Sequence, residues 1–401
     1  MKILLAGMLL LPLSVAAADV RDWPLPAPDG AAQPQLSTTP QGELLLSWIE
    51  RVEAGGHRLR FARFDTQSRW GAARTAAQGS NWFVNWADVP AMQALPDGSL
   101  WAHTLEKSAP STYAYDVVLR RSEDGGARWS APHIVHDDGS ATEHGFVALW
   151  PAGKNRLGIA WLDGRETAGG AGHDAHGHGE GRMTLRAASF DAALGKHDEA
   201  LLDASTCDCC QTAAATLADG VLLAYRGRTA GEVRDIFVTR YDGKAWSAPK
   251  AVHDDGWVMP ACPVNGPSVA TRGNQAWVAW PTGAGGASSL RLAHSRDGGA
   301  SFAPMQVVAG DESLGRVALA ADAETVWVLW MQEAAGQQTL WLARYPHALG
   351  KPLWRQQVAV VQGRGRGTGF PRLALREGRA QVVWTEIVAG QPRLRGLQFT
   401  P

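Results

Sequence analysis

The sequence predicts an all-β fold: a single β-propeller of four-stranded blades, closed by its own N-terminal strand. Three observations lead there. A strand of alternating apolar residues, usually carrying Trp, is written seven times: LLLSWIE (ending at Glu50), SLWAHTLE (Glu106), LGIAWLD (Asp163), VLLAYRG (Gly227), AWVAWPT (Thr282), VWVLWMQ (Gln332) and AQVVWTE (Glu386). The copies recur about every 50–60 residues, the period range of propeller blades, and strict alternation marks strand rather than helix. The 45 glycines and 18 tryptophans suit a many-turned β protein whose blades pack face to face.

Each repeat resolves into strands A to D, numbered outward from the ring axis. The fourth is typical, with QTAAATLA, VLLAYR, DIFVTRY and AWSAPKAVH in that order. Six repeats are complete between residue 35 and about residue 365, and the seventh, from Gly369 to Thr400, holds only A, B and C. The missing D strand is supplied by DVRDWPLPAP (Asp19 to Pro28), which resembles RWSAPHIV and AWSAPKAV. Such pairing removes two open sheet edges. Seven blades are therefore favoured, with six as the alternative if one repeat is a decorated insertion.

Residues 1–18 read as a cleaved signal peptide: Lys2, an apolar run from Ile3 to Leu13, then Ala16-Ala17-Ala18. The expected product is a propeller domain over 19–401, exported to a periplasm or secreted, without a membrane span and monomeric. A formal charge of −1 argues against nucleic acid as a partner.

Strand order sorts the loops. A–B and C–D turns share one face; B–C and D–A loops share the other, around the channel mouth. Two C–D turns, Ser122-Glu123-Asp124-Gly125-Gly126-Ala127-Arg128-Trp129 and Ser295-Arg296-Asp297-Gly298-Gly299-Ala300-Ser301-Phe302, resemble the Asp-box (BNR) repeat of sialidase-like propellers. Degenerate copies stand at Phe64 to Trp70 and Tyr241 to Trp246. The resemblance covers nearly the whole chain after residue 18 and implies a structural role for Asp124 and Asp297, on the face away from the mouth. It also implies a carbohydrate-active protein. In sialidases the mouth holds three arginines, a Tyr–Glu nucleophile pair and an Asp acid. Here no Arg-Ile-Pro motif occurs, the seventh repeat has no Tyr, and Tyr225 replaces the repeated Trp. The known catalytic set is incomplete, which leaves a divergent glycoside hydrolase or a glycan-binding protein.

Four groups fall on mouth loops. Asp163, Arg165, Glu166 and Arg234 are the candidate catalytic residues, since paired carboxylates do acid–base work and arginines fork onto anions. Trp82, Trp86, Asp88, His144 and Arg226 are candidates for binding a glycan or small anionic ligand, and Trp257 is a further aromatic. Inter-blade ion pairs and turn caps account for the same charges equally well. Cys207, Cys209 and Cys210 precede blade 4 and Cys262 precedes blade 5, so all four are expected in one cluster. Two disulfides or a thiolate site for Cu or Zn both fit. His173, His176 and His178, on a Gly-rich loop of blade 3, are candidate ligands beside them. A metal-binding or thiol-redox protein is thus the alternative function, and an interaction scaffold the third.

Overall fold

The computed structural model describes residues 19–53, 55–167 and 181–400. They form seven four-stranded antiparallel blades in a ring. The strands, A to D, are Ala32–Thr38, Leu44–Arg51, His57–Phe64 and Arg74–Gly79 in blade 1. Blade 2 has Met92–Ala94, Leu100–Lys107, Tyr115–Ser122 and His133–Ile134. Blade 3 has His144–Pro151, Leu157–Asp163, Thr184–Phe190 and Lys196–Asp203. Blade 4 has Ala213–Leu217, Gly220–Arg226, Ile236–Tyr241 and Lys250–Ala251. Blade 5 has Ser268–Arg272, Gln275–Thr282, Ser289–Ser295 and Gln306–Ala309. Blade 6 has Ser313–Ala321, Thr325–Ala334, Gln337–Pro346 and Trp354–Val361. Blade 7 has Arg372–Arg376, Arg379–Val388 and Gln391–Thr400, with Asp19–Asp22 as its outermost strand. The ring closes through Asp19 opposite Thr400 and Asp22 opposite Leu397, and Trp23 continues by donating its N–H to Gly396 O at 2.9 Å. Six blades are ruled out by this count.

The B strands are buried on both faces because each lies between two blades. In blade 1, Leu44, Leu46 and Trp48 pack with Val383 of blade 7, while Leu45 and Ile49 pack with Leu100 and Ala102 of blade 2. The repeated Trp of blades 1, 3, 5, 6 and 7 faces the preceding blade, and Trp48, Trp161, Trp280 and Trp330 are fully buried. A buried indole N–H needs an acceptor. The acid two residues on supplies it in blades 1, 3 and 7: Trp48 Nε1 to Glu50 at 2.7 Å, Trp161 Nε1 to Asp163 at 2.7 Å, Trp384 Nε1 to Glu386 at 3.2 Å. An arginine then pairs with each acid: Arg58, Arg165 and Arg395.

On the far face the Ser-x-Asp turns are built by side-chain capping. Asp124 Oδ1 accepts from the N–H groups of Ala127 and Arg128 at 3.0 and 2.9 Å, and Asp297 Oδ1 from Ser301 N at 2.8 Å. Gly126 has φ +88°, and a Cβ there would lie 2.3 Å from the Phe61 ring of blade 1. Trp129 also packs edge-on to Phe61, so this hairpin stitches blade 2 to blade 1. Among the described residues no helix is long and apolar enough to cross a membrane.

Candidate functional site at the channel mouth

The loop entering blade 2 reaches across the axis. Trp86 stacks on Phe370 of blade 7 at 5.6 Å, and the Arg316 guanidinium of blade 6 lies 5.1 Å from its ring centre. Gln211 of blade 4 donates Nε2 to Ala87 O at 2.9 Å. With Phe146 these residues form an apolar plug over the channel. Trp86 is therefore half-buried packing, and Trp82 is buried against blade 1. Neither offers the open stacking platform that its position in the sequence suggests.

Beside the plug, three side chains from three segments share one hydroxyl. Tyr115, which opens strand C of blade 2, lies 2.9 Å from Asp88 Oδ2 and 2.8 Å from Glu143 Oε1 through its Oη. Phe146 N donates to Asp88 Oδ1 at 2.9 Å. Gly145 makes the approach feasible, since a Cβ there would sit 2.0 Å from Asp88 Oδ2. Asp88 and Tyr115 are buried; Glu143 is half-buried and forms the outer end. Burial pushes Asp88 up to about 7, against the bonds from Tyr115 and Phe146. Burial, then the charges of Asp88 and Asp208, push Glu143 up to about 8. A single phenol proton serves only one carboxylate, so a further shared proton is needed to satisfy the trio. Asp88 was legible as a mouth residue, and Glu143 directly precedes His144, which the sequence also places at the mouth. Tyr115 was missed, and its only signal is its place at the mouth end of a C strand.

The residues nominated as catalytic lie elsewhere. Asp163 has no exposed surface; Trp161, Arg165 and the Arg165 N–H take up its oxygens. It repeats the roles of Glu50 and Glu386, which assigns it to blade packing. Arg165 is spent on Asp163, with Asp138 and Glu199 at 3.6 and 3.5 Å, and Glu166 is exposed in a one-turn 3-10 segment. Arg226 is buried, bonds the carbonyls of Asn265 and Pro281, and lies over Trp257 at 5.0 Å. Arg234 is buried against Glu232 at 2.7 Å. Tyr225 is fully buried and gives its hydroxyl to Asp203 at 2.6 Å. A cavity of about 160 Å³ opens next to Trp257, between blades 5 and 6, lined also by Asn265, Pro281 and Leu314.

The four cysteines come together on the rim of blades 4 and 5. Cys209 and Cys262 form a disulfide with Cα atoms 6.0 Å apart. Cys207 and Cys210 are buried free thiols with sulfurs 3.0 Å apart, and Cys207 Sγ lies 3.8 Å from Cys209 Sγ. Burial pushes Cys207 well up. For Cys210 burial acts the same way, but the Cys207 thiol, the Arg226 charge and the Asn265 N–H outweigh it and hold the group below the ordinary thiol value. His173, His176 and His178 lie outside the described residues.

A second polar pocket lies between blades 2 and 3. His136 and His144 stack face to face, ring centres 3.5 Å apart. Asp138 Oδ1 is 2.7 Å from His136 Nδ1 and 3.3 Å from His144 Nε2, while Asp116 Oδ1 is 3.5 Å from His136 Nε2. His144, nominated as a substrate ligand, is thus a fully buried member of this pocket.

No protein-family profile matches the chain, and no curated protein sequence does. Solved structures do match in fold. A polysaccharide lyase, Uly1, shares 10% identity at a TM-score of 0.53, covering 94% of this chain and 90% of the lyase. An α-L-arabinanase from Penicillium chrysogenum, solved with arabinobiose, shares 13% at 0.50, covering 92% and 93%. A Trypanosoma rangeli sialidase shares 11% at 0.50, covering 91% of this chain and 59% of the sialidase. The fold is that of the sialidase-like, seven-bladed propellers.

Proposed function

We propose that this is an exported carbohydrate-active protein, a divergent glycoside hydrolase or lyase, with Glu143 as the proton-transferring group at the channel mouth. One observation carries the reading: the Tyr115 hydroxyl held between Asp88 and Glu143. A carboxyl group hydrogen-bonded to a buried phenol can pass a proton outward to a leaving oxygen and recover it through the phenol from Asp88. Tyr115 acts through Glu143, since its own hydroxyl is buried. That neighbours in fold include an arabinanase, a lyase and a sialidase supports the substrate class at the level of carbohydrate. The missing Arg-Ile-Pro motif and the buried Tyr225 argue against sialoside hydrolysis by the known mechanism.

The test is a panel of neutral and acidic polysaccharides, read for reducing ends and for the ultraviolet absorbance of unsaturated uronates. Product that disappears with Glu143→Gln, and falls with Tyr115→Phe, supports the reading. Binding without product makes the protein a lectin; neither binding nor product overturns it. Export is tested by N-terminal sequencing of the periplasmic fraction, with Asp19 as the expected first residue.

The thiol pair beside a disulfide favours a second reading, thiol–disulfide exchange at the blade 4–5 rim. Two titratable thiols per chain in the native, metal-free protein, exchanging with a disulfide reagent, would support it. Four oxidised cysteines would exclude it.

A further inference from the structure

We propose that Asp116, His136 and His144 form a binding site for a divalent transition-metal ion of the Zn(II) class, buried between blades 2 and 3. His136 Nδ1 is hydrogen-bonded to the Asp138 carboxylate at 2.7 Å, and His144 Nδ1 to the Thr142 carbonyl at 3.3 Å. A carboxylate and a carbonyl only accept, and so do the atoms nearest the other nitrogens: Asp116 Oδ1 is 3.5 Å from His136 Nε2, and Asp138 Oδ1 and Asp163 Oδ1 are 3.3 and 3.7 Å from His144 Nε2. A neutral imidazole carries one proton, so each ring keeps one nitrogen lone pair facing an acceptor. Both Nε2 atoms are buried and have no hydrogen-bond partner. Asp116 supplies a further acceptor, and one ligand atom from each of Asp116, His136 and His144 lies within 4.8 Å of the others.

Three acceptors gathered between two blades without a donor favour a cation among them. The nearest permanent cation, Arg165, is committed to Asp163 and stands 3.6 Å from Asp138. A metal ion answers all three lone pairs at once. Imidazole nitrogens with a carboxylate oxygen are a Zn(II) donor set, and ligands whose other nitrogen is tied to a carboxylate or carbonyl are the usual second layer of such a site. The ion requires the two rings to splay from parallel so that their lone pairs converge. Asp138, 3.3 Å from His144 Nε2, is in reach of the fourth position.

The experiment uses the mature chain carrying Cys207→Ser and Cys210→Ser, stripped with a chelator and titrated with Zn(II), then with Co(II) as a spectroscopic probe. The expected result is one ion per chain. Co(II) should show d–d bands without a thiolate charge-transfer band. Asp116→Asn should weaken binding by about tenfold or more, and His136→Gln should do the same. His253→Ala, in a related loop, should bind as the parent does. Should His144→Ala fail to fold, Asp116→Asn and His136→Gln carry the test. No ion bound, or an ion indifferent to Asp116→Asn, overturns the site.

Discussion

Two D–A loops carry the same words, IVHDDG (Ile134–Gly139) and AVHDDG (Ala251–Gly256), and end in opposite states. In both, the His Nδ1 meets the second Asp at 2.7 Å. In the later loop every acceptor finds a donor. Asp255 takes the Trp280 indole N–H at 2.7 Å and the Arg291 guanidinium. Asp235, opening strand C, takes the N–H groups of Gly256 and Trp257 at 2.9 and 3.0 Å. In the earlier loop Asp116 occupies the place of Asp235 and caps neither N–H. Trp161 gives its indole N–H to Asp163 instead of to Asp138, and a second histidine stands where the donors would be. One motif thus makes a closed turn where blade 5 supplies Arg291 and Trp280. It makes an acceptor-lined pocket where blade 3 supplies His144. The His-Asp-Asp-Gly sequence fixes the local turn; the neighbouring blade fixes its chemistry.

The largest expected effect comes from breaking the closed loop. Asp255→Ala leaves a buried indole N–H and Arg291 without their acceptor, and should destabilise the fold by about 3 kcal/mol. Asp116→Ala in the metal-free protein should stay within about 0.5 kcal/mol, because no donor loses a partner. Both are read by denaturant unfolding. Equal losses would mean that Asp116 has a structural partner and that the two loops do not differ in the way described.

Next in size is Asp235→Ala. It removes a two-bond cap and should cost about 1 kcal/mol. It should also loosen Trp257, which lies over Arg226 and lines the blade 5–6 cavity. A red shift of the Trp emission accompanying the stability loss is expected. A stability loss with unchanged fluorescence would show that Trp257 is held by Arg226 alone.

How far the sequence reaches follows the same division. Ring closure was legible because one segment, Asp19 to Pro28, looks like the D strand that one repeat lacks. Clustering of the cysteines was legible because consecutive D–A loops are neighbours by topology. The packing role that Asp163 takes here also has a signal in the sequence: WIE, WLD and WTE place an acid two residues after the repeated Trp in three blades. Periodic acids of that kind cap indoles. The triad of Asp88, Tyr115 and Glu143 was only partly legible, and of the His136–His144–Asp116 pocket only His144 was, as a mouth residue without its partners. Each draws on segments from two blades, and contact across blades depends on register and loop path rather than on spacing along the chain.

The smallest effect is expected on the far face, where Asp297 is a fully partnered carboxylate close to solvent. Burial works to raise its pKa, but the Ser301 hydroxyl and N–H, with Ser295, outweigh it and bring it to about 2, below the ordinary 3.8. A group whose folded pKa is depressed adds stability above its unfolded value and loses it as pH falls through the folded one. The contribution of Asp297 should therefore be complete above about pH 4 and gone near about pH 2. Asp297→Asn should lower the melting temperature by a degree or two at neutral pH, and the gap to the parent protein should close between those values. Zn(II) binding and any turnover at the mouth should not change, because the turn lies at the opposite end of the blade. A gap that persists unchanged at acid pH would show that the turn is held by its serines rather than by the carboxylate charge.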